Sequence, residues 1–283
     1  MLADVVDHLT CPLCRGDLLL SGRSLRCPAG HAFDVARQGY VNLLPGGARA
    51  GTADTQDMVR DRAAFLGAGH FDPLARRLSA LVPAGSACVL DAGAGTGHYL
   101  RAVLTDVPAA TGIALDISKF ALRRAASAHP RIGAAVWDLW QPLPVRSGSI
   151  DAIINVFAPR NAAEFRRVLR PTGRLLVVTP AHGHLGALVE GLALLSVDAH
   201  KQERLATVLR GQFELVREED LEIPLSLDQT EVRTLVGMGP NAWHLTGEYE
   251  ARLAALPAPL KVVASFRLSV FRPAAQPPAQ RPT

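Results

Sequence analysis

From Cys88 onward, short runs of consecutive apolar residues alternate with stretches whose apolar positions recur every three or four residues. The runs Cys88–Asp91, Ala109–Asp116, Ala134–Asp138, Ile150–Ala158 and Arg174–Pro180 predict buried strands. His98–Leu104, Lys119–Ala128 and Ala162–Leu169 carry the helical period between them. This alternation specifies a parallel sheet covered by helices on both faces, since a parallel crossover needs a connection of helix length. Leu221–Leu227 and Ser265–Phe271 predict two further edge strands, the last one antiparallel. The expected fold is therefore α/β, with a mostly parallel seven-stranded sheet.

The first eighty residues break this rhythm. Leu18–Leu20 and the stretch from Leu25 read as two short strands joined by a Ser-Gly-Arg-Ser turn, and Gln38–Pro45 as an extended segment with a turn. Asp54–Leu66 predicts a linker helix capped by Asp54 or Thr52, and an Arg-rich helix follows Asp72-Pro73 to about Leu81. The division expected from this is a small module over residues 1–45, a linker and helix over 46–80, a large domain over 81–273 and a disordered tail over 274–283.

Chemistry enters at the turns. Cys11, Cys14, Cys27 and His31 follow a C-x2-C-x12-C-x3-H spacing, with each pair in a tight loop. Three thiolates and one imidazole fill the tetrahedral sphere that zinc prefers, so the metal, one structural Zn ion, holds the module together and leaves no position open for a substrate. A module this small gains most of its stability from such a metal. Cys88, the remaining cysteine, lies in an apolar run and reads as a small core residue. Cysteines used in this way suit a reducing cytoplasm, and neither a membrane span nor a secretory leader is expected.

The net charge of +4 hides an asymmetry: residues 77–180 carry twelve Lys or Arg against six acids. Only three of the basic residues in the chain are lysines, and Arg suits bidentate phosphate contacts. An Arg- and Ala-rich coding bias gives the same composition, so charge permits an RNA partner without requiring one.

The loop Asp91-Ala-Gly-Ala-Gly-Thr-Gly97 follows the first buried strand, where Gly93, Gly95 and Gly97 let backbone pass close to a ligand. A dinucleotide fingerprint asks for glycine or alanine at the next position, which is His98. Asp91 is placed to meet a positive group, and Asp116, closing the second strand, to accept two ribose hydroxyls. With Leu115-Asp116, the loop looks like that of the class I S-adenosyl-L-methionine methyltransferases.

Nearly the whole chain resembles one family, the bacterial 23S rRNA (guanine-N1)-methyltransferases, which include the tylosin-resistance methyltransferase of antibiotic producers. The likeness is carried by the zinc cluster, Gly39-Tyr-Val-Asn-Leu-Leu-Pro45, Arg62-Ala-Ala-Phe-Leu-Gly-Ala-Gly-His-Phe71 and the glycine loop. Downstream it is carried by Asp151-Ala-Ile-Ile154, Ala158-Pro159, Thr179-Pro180, His184-Leu185 and Met238-x-Pro240-x-Ala242-Trp243. The resemblance implies a class I S-adenosylmethionine domain beside a zinc module that recognises RNA. It also implies cofactor contacts from Phe71, Gly95, Thr96 and His184 as well as from Asp91 and Asp116, a cytoplasmic enzyme, a 23S rRNA hairpin as partner and a homodimer. Methyl transfer to guanine 748 is expected in preference to guanine 745, with resistance to a macrolide such as tylosin. A small-molecule methyltransferase in which the zinc module is only a cap, and a non-catalytic RNA-binding module, are the other readings.

For catalysis, Asp138, ending the third strand, and Arg160, in Asn155-Val-Phe-Ala-Pro-Arg160 at the end of the fourth, are the candidates. The first would remove the guanine N1 proton, the other readings being a contact to the cofactor's adenine or a solvated turn acid; the second would balance charge on O6, the other readings being a phosphate contact or a solvated side chain. Deleting residues 1–40 is expected to abolish RNA methylation while cofactor binding survives.

Overall fold

A computed structural model describes residues 1–46, 53–192, 207–239, 242 and 247–275. The N-terminal part comprises α1 (Leu2–Val5), β1 (Leu19–Ser21), β2 (Ser24–Arg26), β3 (Ala32–Asp34) and β4 (Tyr40–Asn42). The helices α2 (Gln56–Gly67) and α3 (Asp72–Leu81) lead to the alternating region. There β5 (Cys88–Ala92), α4 (His98–Asp106), β6 (Thr111–Asp116), α5 (Lys119–Ala128), β7 (Ile132–Val136), β8 (Ile150–Val156), α6 (Ala162–Val168) and β9 (Leu169–Pro180) follow in turn. The described chain closes with α7 (Gly186–Leu192), β10 (Phe213–Leu227), α8 (Gln229–Gly237), α9 (Gly247–Ala255) and β11 (Leu260–Pro273). The expected tail lies, from residue 276, outside the described residues, as do residues 47–52 of the linker and Pro240 and Trp243 of the last family tract.

All seven expected strands form one sheet, in the order β10-β11-β9-β8-β5-β6-β7, with β11 antiparallel to both neighbours. An eighth, β4, extends it by pairing parallel to β7 through Tyr40↔Ala134 and Asn42↔Val136. The inner strands β5 and β7 are buried along their whole length, as a parallel sheet covered on both faces requires.

Each face has its own apolar layer. On one, Phe65, Leu74, Leu78, Leu100, Leu104 and Leu122 from α2 to α5 pack over the sheet. On the other, the zinc module supplies much of the cover: Leu2, Val5, Leu9, Leu18, Leu25, Val41 and Leu43 share one cluster with Leu90, Ile113, Leu115 and Phe165. Backbone bonds from Thr10 N to Pro144 O (3.0 Å) and from Arg146 N to His8 O (2.8 Å) fasten the module to the β7–β8 connection. Deleting residues 1–40 therefore strips one face of the sheet, and the expected survival of cofactor binding does not follow. Among the described residues, no helix is long and apolar enough to cross a membrane.

Candidate active site and metal centre

The metal centre is built by two turns. Arg15 N donates to Cys11 O (2.8 Å) and Gly30 N to Cys27 O (3.0 Å), with Arg15 and Gly30 in left-handed backbone. These turns bring the three sulfurs and the His31 ring nitrogen within 4.8 Å of one another. Cys14 and Cys27 Sγ lie 3.6 Å apart, and His31 Nδ1 lies 3.5 Å from Cys11 Sγ and 3.3 Å from Cys27 Sγ. A zinc–sulfur bond of about 2.3 Å sets a tetrahedral edge of about 3.8 Å, so the donors already have the spacing of a zinc sphere. Burial opposes ionisation at both Cys11 and Cys27. At Cys11 it prevails and pushes the thiol up; at Cys27 hydrogen bonds from the His31 backbone, Cys14 and the His31 ring outweigh it and bring the thiol down to about 7.

The second site lies at the carboxyl ends of the parallel strands. Asp91 is buried at the end of β5, its Oδ2 without a hydrogen-bond partner, and burial together with the nearby Asp116 holds its carboxyl well above the usual range. Asp116, at the end of β6, accepts from Gly95 N (2.9 Å) and Ser118 N (2.8 Å). Burial raises its pKa against the pull of those amides. The glycine loop is drawn tight around these acids. A methyl on Gly93 would meet the Ala158 methyl at 2.2 Å, and one on Gly97 would meet Ala125 Cα at 3.0 Å. The first glycine thus lets the turn after β8 close on the loop, and the third lets α4 pack on α5. Thr96 is half-buried between them. His98, where a dinucleotide site needs a small residue, is buried edge-on against Tyr99, with ring centroids 5.1 Å apart.

Buried polar groups without a partner concentrate at this end. Of the eight described residues that have one, Asp91, Trp137, Asn155, Arg160 and Thr179 sit at or just beyond the ends of β5, β7, β8 and β9. Native interiors satisfy such groups, so this concentration marks where a polar ligand belongs. Arg160 Nε and Nη2 are among them, and desolvation lowers the guanidinium's pKa. Asn155 Nδ2 donates to Ala92 O (2.9 Å) and Pro159 O (3.0 Å), tying the fourth strand to the first.

The remaining predicted residues fall in different settings. His184 Nδ1 donates to Ser265 O (2.8 Å), and its ring meets Phe266 edge-on at 4.9 Å, whereas His182 is exposed. Phe71 is 3% exposed, and its ring lies against Phe65 (5.1 Å) and Phe266 (5.0 Å). Its link to the site therefore runs through Phe266. Strand β7 ends at Val136, two residues before Asp138, whose Oδ1 accepts from Trp140 N (3.0 Å) and closes a turn. Cys88 is buried as expected, its thiol pushed up to about 12 by desolvation.

Arg62 carries no role legible from the sequence beyond opening a family tract. From α2 it pairs with Asp54, donates from Nη2 to Met238 O (2.7 Å), and would touch a methyl placed on Gly95 at 3.2 Å. Ser118 Oγ in turn donates to Asp54 O (2.8 Å). The linker is thereby fastened over the glycine loop. Its only sequence signal is an Arg eight residues after an Asp, a spacing with no local meaning.

The geometry fits S-adenosylmethionine: an acid with an unpartnered oxygen beside a glycine loop, and a second acid at the end of the next strand. Comparison with known proteins agrees. The zinc-ribbon family model described as "RlmA, N-terminal" matches residues 9–49, and a methyltransferase-domain model matches residues 89–173. The Streptomyces fradiae 23S rRNA (guanine(748)-N(1))-methyltransferase is 49% identical over 279 residues, covering 96% of this chain and 99% of its own. A Micromonospora griseorubida protein, provisionally named a 23S rRNA (guanine-N(1)-)-methyltransferase, is 50% identical over 295 residues, covering 96% of this chain and all of its own. A three-sulfur, one-imidazole centre fused to a cofactor cleft, matched end to end by these relatives, identifies the chain as a member of the 23S rRNA (guanine-N1)-methyltransferase family.

Proposed function

We propose that this protein transfers the methyl group of S-adenosylmethionine to N1 of guanine 748 in a hairpin loop of 23S rRNA, and that the product protects the ribosome from a macrolide such as tylosin. One observation carries the choice of guanine: the 49% identity, over nearly the full length of both chains, to a relative named for guanine 748.

The cofactor supplies an electrophilic methyl on a sulfonium. Asp116 holds the ribose, Asp91 answers positive charge, and the glycine loop lets both act at close range. Phe71 supports the cofactor side of the site through Phe266, and His184 borders it. Guanine N1 is protonated at neutral pH, so removal of that proton for attack on the methyl develops negative charge on O6. The Arg160 guanidinium, half-buried and with Nε and Nη2 buried and unpartnered, balances that charge. Asp138 is assigned the proton, which requires its carboxylate to leave the turn it closes with Trp140.

The zinc module forms the second wall for the RNA. Arg15 Nη1 donates to Leu143 O (3.2 Å), and Asn161 Nδ2 donates to Leu139 O (3.2 Å) and Trp140 O (3.3 Å). The metal turn, the 65%-exposed Trp140 and the turn bearing Arg160 are thus joined along one edge. An exposed indole beside basic side chains suits an unstacked loop base.

Primer extension on 23S rRNA from cells with and without the gene tests the assignment. A gene-dependent stop at guanine 748, with a raised tylosin tolerance, is expected. A stop at guanine 745 would overturn the position, and no stop would overturn the rRNA substrate.

A further inference from the structure

Strand β8 leaves the sheet at Val156, and the next residue, Phe157, takes a left-handed backbone with φ of +53°. Bulky side chains avoid that region, and such strain persists where surrounding structure enforces it. Three contacts enforce it here. Phe157 N donates to Val178 O (3.2 Å), the Asn155 amide bridges Ala92 O and Pro159 O, and the Ala158 methyl fills the space that Gly93 leaves open. The result is a ring turned out of the core, with 42% of the residue exposed. It leans on Phe266 (centroids 5.7 Å, 41° between planes) and stands 6.5 Å from His184. Burial would favour this phenyl inside and its backbone preference another conformation, so the turn holds the ring outward against both.

We infer that Phe157 is the stacking platform for the target base: the guanine, turned out of the hairpin, lies on the exposed part of this ring while Arg160, three residues on, faces its O6. The inference rests on the rRNA-guanine reading above and adds to it the residue that receives the base. A flat apolar ring offers an extruded base the stacking it loses in RNA, and the neighbouring guanidinium donates to O6, where adenine would present an amino group instead. The platform is fixed before RNA arrives, because the turn that strains it is interlocked with the glycine loop.

The test uses the full-length zinc-loaded protein and a synthetic 23S hairpin RNA. Phe157→Ala is expected to lower kcat/KM for RNA by about 5- to 150-fold, the loss of one base–aromatic stack, with S-adenosylmethionine affinity unchanged in calorimetry. Phe157→Trp is expected to keep the rate within about threefold of wild type. Phe157→Gly loses the ring but relieves the backbone, so it should match Phe157→Ala in activity while melting at a higher temperature. A Phe157→Ala enzyme as fast as wild type, a failure of Trp to restore the rate, or a Phe157→Gly protein that melts below Phe157→Ala would each overturn the inference. Absence of 1-methylguanosine with wild-type protein would instead overturn the rRNA reading on which it rests.

Discussion

The metal centre and the cofactor cleft gather polar side chains in opposite ways. At the first, four donors from two turns converge to within 4.8 Å of one another, a set that completes itself around an ion. At the second, Asp91, Asn155 and Thr179 are buried at the strand ends and, with the half-buried Arg160 just beyond them, are left partly unpartnered. A closed set of donors yields folding stability, because nothing further is needed. An open set costs stability in the free protein and returns it only when a ligand supplies the partners. The two are coupled, since the module held by the metal also covers one face of the sheet whose ends carry the cleft.

The largest effect that could break this comparison comes from the metal. Removing zinc with a chelator, or substituting Cys14→Ser, should lower the melting temperature by about 10 °C or more and abolish both RNA methylation and cofactor binding, because the shared apolar layer opens. Differential scanning calorimetry with cofactor titration reads both, and a metal-free protein that still bound cofactor would separate the two regions. Next, Arg160→Ala should lower the single-turnover rate at saturating RNA by about 10²-fold, the usual loss for one charge-stabilising donor, with cofactor affinity unchanged. Rapid-quench kinetics would detect it.

Asp116→Ala should weaken S-adenosylmethionine by about 10- to 100-fold in calorimetry, and it also unfastens Gly95. An unchanged affinity would remove Asp116 from the site.

The smallest effect is the most diagnostic of an open site. Asp91 has a raised folded pKa, so the folded state holds its proton more firmly than the unfolded chain. Its contribution is fully present below the ordinary carboxylate pKa and is lost as pH rises through the folded value. At neutral pH Asp91→Asn should therefore raise the melting temperature of the free protein by a few degrees while weakening the cofactor about tenfold. Cofactor binding should release a proton at this residue and tighten as pH rises, which titrations in buffers of different ionisation enthalpy would show. A destabilised Asp91→Asn protein would mean that the carboxylate is satisfied in the free state.

Much of this was legible in the chain because its signals are local. The strands around Leu90 and Val177 are apolar runs, that around Ile153 is apolar but for Asp151 and Asn155, the glycine loop is seven contiguous residues, and the four metal ligands fall within twenty-one. What escaped depends on distant partners. Strand β4 has three residues and exists because β7 presents a free edge. Strand β10 runs from Phe213, well before the expected Leu221, although Glu214, Glu218, Glu219 and Asp220 give its first half a polar, loop-like pattern. Arg272 pairs with Glu214, and Arg267 with Glu218 and Asp220, across the β10–β11 ladder, while Arg77 of α3 reaches Glu219. Strand β8 stops at Val156, short of the expected Ala158, since Phe157 must turn left-handed to join the glycine loop. Arg62 is silent in sequence because its meaning lies in Gly95, Asp54 and Met238.

The most direct measurement incubates purified zinc-loaded protein, 23S rRNA and S-adenosylmethionine labelled in its methyl group, then digests the RNA to nucleosides. Label is expected in 1-methylguanosine, accumulating about 10²-fold more slowly with Arg160→Ala and lost on zinc removal. Label in any other nucleoside, or none in RNA, would contradict it.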